Sequence, residues 1–343
     1  MEAANALETE RPVTELRPVA LSCRDLTVSY GDHVAADSVS FEVRRGEIFG
    51  LLGPNGAGKT SVIRALTTIL EPRSGSATIG GIDLDHEADV RRLIGVLPES
   101  NGYPGAQTGR GYLRFYGQLF GLSRAEADDR AARLLTQLGL GGTKQRIATY
   151  SRGMRQRLGL CRSLINEPTV LFLDEPTLGL DPAGKEEIIA HLTEVAVDRG
   201  TAVVLCTHLL DEVERVCDRV AILDRGRVVA SGTVDEVVDS ANLAGTARLR
   251  LASTTDVVAA QRVLSTNKAV ITVVHDNTRP GDLDLGLAAN VSRPSNEVLG
   301  ALVAADLEVR AFDRQSGSLN DAFLALTQRL NDTTPVAVTR SAE

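Results

Sequence analysis

Three short segments of the chain are apolar at nearly every position: 47–52, 170–173 and 202–206. Runs of that length without alternation predict strands buried on both faces, as in a parallel sheet. Segments 21–30 and 38–43 instead show the β-branched alternation of half-buried strands, separated by a turn at Gly31-Asp32. Another strand is predicted at 76–82, broken at Gly80-Gly81. Helical spacing runs over 60–70 and stops before Pro72. A mostly helical stretch follows, opening with a short strand at 94–97 and continuing as helices at 111–120, 124–138 and 153–165. A helix at 209–217 and a hairpin of 220–223 with 227–230 come next, and Thr233 with Glu236 predicts a capping box.

Near Ser240 the pattern changes. Residues 247–251 alternate apolar residues with Arg, which predicts a strand of a one-sided antiparallel sheet. The remainder reads as strand 246–252, helix 255–266, strands 268–275 and 282–288, helix 294–305, strand 307–312 and a last helix at 318–330. That βαββαβ order predicts a ferredoxin-like α+β module. The expected organisation is a disordered leader (1–19), an α/β domain (20–240) with a helical subdomain at about 98–165, a small α+β domain (241–330) and a loose tail (331–343).

The run at 47–52 leads into Gly53-Pro54-Asn55-Gly56-Ala57-Gly58-Lys59-Thr60-Ser61, and a helix follows. This satisfies G-x-x-x-x-G-K-[ST] in the strand-to-helix context that the phosphate-binding loop requires. Glycines let backbone N–H groups approach phosphate oxygens, and the helix N-terminus adds partial positive charge. Lys59 is expected on the β and γ phosphates of ATP, and the Thr60 hydroxyl on Mg²⁺. The run at 170–173 delivers Asp174 and Glu175 to a strand end, where Asp174 is placed for Mg²⁺ and Glu175 for the attacking water. The fold class expected is therefore an α/β P-loop NTPase.

Composition narrows the partners. The net charge is −8 and aromatics are 3% of the chain, which argues against a nucleic-acid surface. No apolar run reaches the length of a transmembrane helix. Cys23, Cys161, Cys206 and Cys217 lack zinc-ligand spacing and read as small buried residues. His33, His86, His191 and His275 read as loop, strand-end or surface residues.

Further motifs carry a resemblance. Tyr150-Ser151-Arg152-Gly153-Met154-Arg155-Gln156-Arg157 resembles the signature of ABC ATPases. Leu178-Gly179-Leu180-Asp181 resembles their D-loop, Thr207-His208 their switch histidine, and Tyr30 the aromatic that stacks on adenine. Residues 94–99 resemble the Q-loop, with Glu99 at the usual Gln position, a side chain that still approaches Mg²⁺ or its water. The signature also departs from the common pattern at Arg152 and Met154. The resemblance implies that two such domains pair head to tail, as a homodimer or with a homologue. Each ATP then lies between one phosphate loop and the Ser151–Gly153 segment of the other domain, with His208 and Glu175 holding the water and Asp181 near the shared site. It also implies separate transmembrane permease subunits that hold the chain at the cytoplasmic face.

The segments "LPES" and "SRGMRQRL", with Ser316-Gly317-Ser318-Leu319-Asn320-Asp321, resemble the daunorubicin-resistance branch. That implies export of a hydrophobic antibiotic, drug or lipid. Asn320 stands where that branch commonly has an acid. Two alternatives are an importer ATPase with a regulatory C-terminal domain and an ABC ATPase acting on ribosomes or DNA.

Overall fold

A computed structural model describes residues 17–99, 102–241, 246–275, 281–288, 291, 294–315 and 318–332. These fall into two compact units, divided between Ser231 and Gly232. The expected boundary at 240 is thus nine positions later than the observed one, and the capped helix after Thr233 belongs to the second unit.

In the first unit, β1 (Val19–Tyr30) and β2 (His33–Arg44) form a long hairpin around Gly31-Asp32. The expected leader to residue 19 is too long: Arg17 Nη1 donates to Gly46 O at 2.7 Å, and Arg45 N donates to Pro18 O at 2.9 Å. Residues 1–16 lie outside the described ones. β3 (Ile48–Leu52) is buried at every position, as its unbroken apolar run requires. Helix α1 (Lys59–Leu66) is shorter than 60–70. Thr67 Oγ1 donates to Ile63 O at 2.8 Å, and Thr68 turns into the left-handed region at φ 57°, ending it before Pro72. β4 (Ser74–Ile79) and β5 (Ile82–Asp83) are the two halves of the segment broken at Gly80-Gly81.

Helix α2 (Glu87–Leu93) lies outside the expected elements and leads into β6 (Ile94–Leu97). The helical stretch comprises α3 (Gly109–Leu119), α4 (Arg124–Gln137) and α5 (Arg152–Ser163). Each is started by a hydroxyl that accepts a first-turn N–H: Thr108, Ser123 and Ser151. β7 (Val170–Asp174) precedes α6 (Pro182–Arg199), an 18-residue helix that the expected elements leave out. Asp181 caps it, Pro182 opens it and left-handed Gly200 closes it. Then follow β8 (Ala202–Cys206), α7 (Leu210–Val216), β9 (Arg219–Asp224) and β10 (Arg227–Thr233).

The strands make two sheets. One is antiparallel, ordered β2-β1-β4-β5; the other is ordered β10-β9-β3-β8-β7-β6, with β9, β3, β8, β7 and β6 parallel. A single apolar core joins Leu21, Val39 and Ile79 of the first sheet, Val62 and Leu66 of α1, and Phe49, Phe172 and Val204 of the second.

The second unit contains α8 (Val234–Ser240), β11 (Thr246–Leu251), α9 (Val257–Ser265), β12 (Val270–His275), β13 (Asp282–Leu287), α10 (Pro294–Ala304), β14 (Val309–Gln315) and α11 (Leu319–Asp332). Its sheet is ordered β12-β13-β11-β14 with every neighbouring pair antiparallel, a ferredoxin-like arrangement. Along β11, Ala247, Leu249 and Leu251 are buried while Arg248 and Arg250 face β13 carboxylates. Asp321 closes a capping box with Ser318 at the start of α11, so the acid of that motif has a structural use. Residues 333–343 lie outside the described ones.

Candidate functional site

Sheet order gathers the site. β3, β8 and β7 are parallel neighbours, so the segments that follow them leave the sheet at one edge. That edge is the carboxyl end of the strands, where ligands collect in open α/β sheets. Residues 53–60 follow β3, Glu175 follows β7, and Thr207 and His208 follow β8, the strand between them.

The loop is built around close backbone approaches. Gly58 has φ 103°, and a Cβ there would lie 2.2 Å from Ala35 O. On Gly53, at φ 154°, it would lie 2.4 Å from Leu223 O. Neither position has room for a side chain. The turn after β9 braces the loop, with Gly226 N donating to Ala57 O at 3.0 Å. Gly58 is the N-cap of α1 and has no side chain to satisfy the first-turn N–H groups, which suits an anion. Lys59 Nζ donates to Gly53 O at 2.5 Å and to Pro54 O at 3.1 Å, which folds the ammonium over the loop. Thr60 and Ser61 occupy the same first turn. Tyr30 packs beside this helix: hydrogen bonds with Ser61 and then Arg64 hold its phenol below the usual range.

Glu175 is in the left-handed region, at φ 51°, a conformation a non-glycine residue rarely adopts. Its N–H donates to Cys206 O at 2.8 Å, which fixes the turn. One carboxylate oxygen accepts from Thr207 Oγ1 at 3.0 Å. The other accepts from His208 N at 3.1 Å and lies 2.7 Å from His208 Nδ1. A carboxylate offers about four lone-pair sites, so roughly one is left to take a proton from water. With the proton on Nδ1, His208 keeps Nε2 free of the Glu175 bond. Thr207 is the contributor that motif reading passes over; its hydroxyl orients the carboxylate from the strand next door.

Asp174 ends β7 and pairs in register with Cys206. Burial pushes its carboxyl above the usual range. A hydrogen bond with Cys206 opposes this, the Glu175 and Glu99 charges add to it, and Lys59 opposes it. Glu175, Glu99 and Lys59 therefore lie within electrostatic reach of Asp174. All four cysteines are buried thiols outside any disulfide; burial raises the Cys23 thiol to about 12. Among the described residues no group of three or more His, Cys, Asp or Glu side chains forms a metal cage. The donors beside the loop, the Thr60 hydroxyl and the Asp174 carboxylate, are oxygens of the kind Mg²⁺ takes together with water and substrate phosphates.

The signature segment lies against its own D-loop. Ser151 caps α5, accepting from Met154 N at 3.2 Å, which leaves its hydroxyl proton to donate. Gln156 Nε2 donates to Pro176 O at 2.7 Å. The Arg152 guanidinium covers Gly179, where a Cβ would lie 2.3 Å from Arg152 Cζ, and a Cβ on Gly153 would touch Leu180. Asp181 accepts from Gly184 N as the cap of α6. Beneath the D-loop, buried Thr177 donates to Glu212 of α7 at 2.7 Å, and Lys185 of α6 binds the same carboxylate at 3.0 Å. Among the described residues, no hydrogen bond joins Ser151, Arg152 or Gly153 to the loop at 53–60.

The family model for "ABC transporter" matches residues 36–178. A daunorubicin/doxorubicin resistance ATP-binding protein of Streptomyces peucetius is 39% identical over 312 residues, 90% of this chain and 92% of that protein. A linearmycin resistance ATP-binding protein of Bacillus subtilis is 30% identical over 90% of this chain and 98% of its own length. A solved ATP-binding subunit of an ABC transporter superposes with a TM-score of 0.60 at 34% identity, covering 64% of this chain and 92% of that one.

Proposed function

As the chain belongs to the family of ABC transporter ATP-binding proteins, in which it is an ATP-hydrolysing subunit, we propose that two copies, or one copy and a homologue, close over ATP and Mg²⁺ to drive export of a hydrophobic compound through separate membrane subunits. The observation that carries this is Glu175, held by Thr207 and His208 on the sheet edge that also bears the phosphate loop.

In this reading Lys59 and the free N–H groups of α1 bind the β and γ phosphates, and Tyr30 stacks on adenine. Thr60 and Asp174 hold Mg²⁺, which would neutralise charge on the transferring phosphoryl group, with Glu99 bearing on its water. Glu175 accepts a proton from the attacking water, and His208 orients it. Ser151 Oγ and the N-terminus of α5 meet the γ-phosphate bound to the partner's loop. Confinement of the signature to its own D-loop supports a site shared between chains.

Attachment to a membrane subunit is supported by an apolar groove of about 410 Å³ lined by Ile69, Ile94, Val96, Tyr116, Leu119 and Phe120. Ile69 is 71% and Leu119 68% exposed, an apolar surface suited to a docking segment. Among the described residues no helix is long and apolar enough to cross a membrane. Two relatives that span both units are named for daunorubicin/doxorubicin resistance and for linearmycin resistance, which favours export over import.

The shared site is tested by measuring ATP hydrolysis against protein concentration. A specific rate that rises with concentration supports it; one that is constant down to dilutions where the protein is monomeric refutes it. Export is tested by co-purifying the chain with its membrane subunit and screening hydrophobic compounds for stimulated hydrolysis in lipid.

A further inference from the structure

The first unit has a second cavity, at the amino ends of the parallel strands and thus at the opposite edge of the sheet from residues 53–60. It encloses about 380 Å³, within the size range of small-ligand pockets. Its floor is Leu134, Leu164, Pro168 and Thr201, and four arginines line it: Arg45, Arg130, Arg133 and Arg199. Glu167 is the one carboxylate in the lining, and Arg130 engages it at 3.3 Å.

Much of the arginine elsewhere in this acidic protein is spent on carboxylates, as in Arg91–Glu87, Arg215–Glu186 and Arg227–Asp37. Around the cavity only Arg130 is, on Glu167. Among the described residues neither Arg45 nor Arg133 has an ion-pair partner, and Arg199 donates only to the neutral Gln137, at 3.2 Å. These guanidinia come from three distant segments: the turn after β2, helix α4 and the end of α6.

α4, α5 and α6 all end at this cavity, through Gln137, Leu164 and Arg199. Each helix C-terminus carries about half a negative charge. Three such ends offset roughly one and a half positive charges, and Glu167 offsets one more. Four guanidinia exceed that by about one and a half charges, so helix ends alone leave the pocket cationic.

We propose that this cavity is a binding site for a small anion carrying at least two phosphate groups, gripped by Arg45, Arg133 and Arg199. Guanidinium forks match phosphate oxygens in pairs, and three of them on separate segments suit an extended diphosphate better than a single phosphate. Arg130 also donates to Ile165 O, just past α5, at 3.0 Å. A ligand here would therefore tie α4 and the end of the signature helix to the end of α6.

The test is calorimetric titration of the full chain with inorganic pyrophosphate. Saturating Mg-ADP is present throughout, since pyrophosphate also fits the phosphate loop. The proposal expects one further site per chain and a raised melting temperature. Arg133→Ala and Arg199→Ala should each weaken it by about tenfold, the range of a charge-assisted hydrogen bond, and Arg133→Lys by less. Both side chains are on the surface, and circular dichroism with ADP affinity verifies that the variants fold. A parallel arm uses phosphatidylcholine vesicles containing cardiolipin, whose headgroup carries two phosphates: co-sedimentation that pyrophosphate competes away assigns the phosphates to lipid headgroups, and pyrophosphate binding without co-sedimentation assigns them to a free ligand. No pyrophosphate site under Mg-ADP, or a site indifferent to both alanine substitutions, overturns the proposal.

Discussion

The two units use their sheets in opposite ways. In the first, β3 and β8 are buried at every position, and the chemistry sits entirely at the strand ends. In the second, β11 buries Ala247, Leu249 and Leu251 on one face and presents Arg248 and Arg250 on the other. A two-sided parallel sheet has no exposed face to decorate, but it aligns many strand ends at one edge, where loops converge on a ligand. A one-sided antiparallel sheet offers a face instead, and here ion pairs occupy it. Nucleotide chemistry should therefore depend wholly on the first unit, and the following experiments press on that division.

The largest effect is expected from Glu175→Gln. It retains the side chain's shape and the bond from Thr207 but removes the proton acceptor. Hydrolysis should fall by about a hundredfold or more, the scale of general-base catalysis. ATP binding should persist, and a dimer should accumulate on size exclusion with ATP. A fully active, monomeric variant would falsify the shared-site mechanism. Lys59→Ala comes next. Loss of a charge-assisted contact of about 1.5–3 kcal/mol should weaken ATP binding roughly ten- to a hundredfold, read by fluorescent-nucleotide titration. Wild-type affinity would remove Lys59 from the phosphates.

The contrast also sorts what is legible in the sequence from what is not. The loop at 53–60, the acids at 174–175 and the Arg-Leu alternation at 247–251 are local patterns, read where they stand. What brings Glu175 to His208 is the insertion of β8 between β3 and β7, a pairing of segments far apart in the chain that no local pattern specifies. The role of Thr207 follows from that insertion and was out of reach for the same reason. Arg152 reads as a departure from a motif, and only the fold reveals that it covers Gly179. Helix α6 had signals of its own in Asp181-Pro182, the apolar spacing of Ile188, Leu192 and Val195, and Gly200. Asp181 reads as a D-loop residue, and its equally local use as a helix cap is easy to pass over.

A truncation tests the division itself. A chain ending at Ser231 should fold and bind ATP with full-length affinity, because the core around α1 lies wholly within the first unit. A chain ending at 244 keeps α8 but removes α11, which packs against it, and should be the less stable of the two. Thermal melts with and without ATP compare them. Loss of ATP binding in the shorter chain would show that the second unit takes part in the nucleotide site.

The smallest effect is expected on the ion-pair face. Arg250 binds Asp282 through Nε at 2.8 Å and Nη2 at 2.9 Å, and the Asp282 side chain is only 3% exposed. Arg248 binds Asp284 through Nε at 3.0 Å, with Asp284 46% exposed. The rungs differ in bond number, two against one, and in how far the carboxylate is withdrawn from water, and removing a partner costs most where water cannot replace it. Arg250→Ala should therefore lower the melting of the second unit more than Arg248→Ala, and neither should alter ATP affinity. Because both substitutions remove the same charge from the same face, a general electrostatic effect would move the two melts equally; unequal shifts isolate the buried, doubly bonded acid. A drop in ATP affinity with either variant would mean that the one-sided sheet is coupled to the nucleotide edge, and the separation between the units would have to be redrawn.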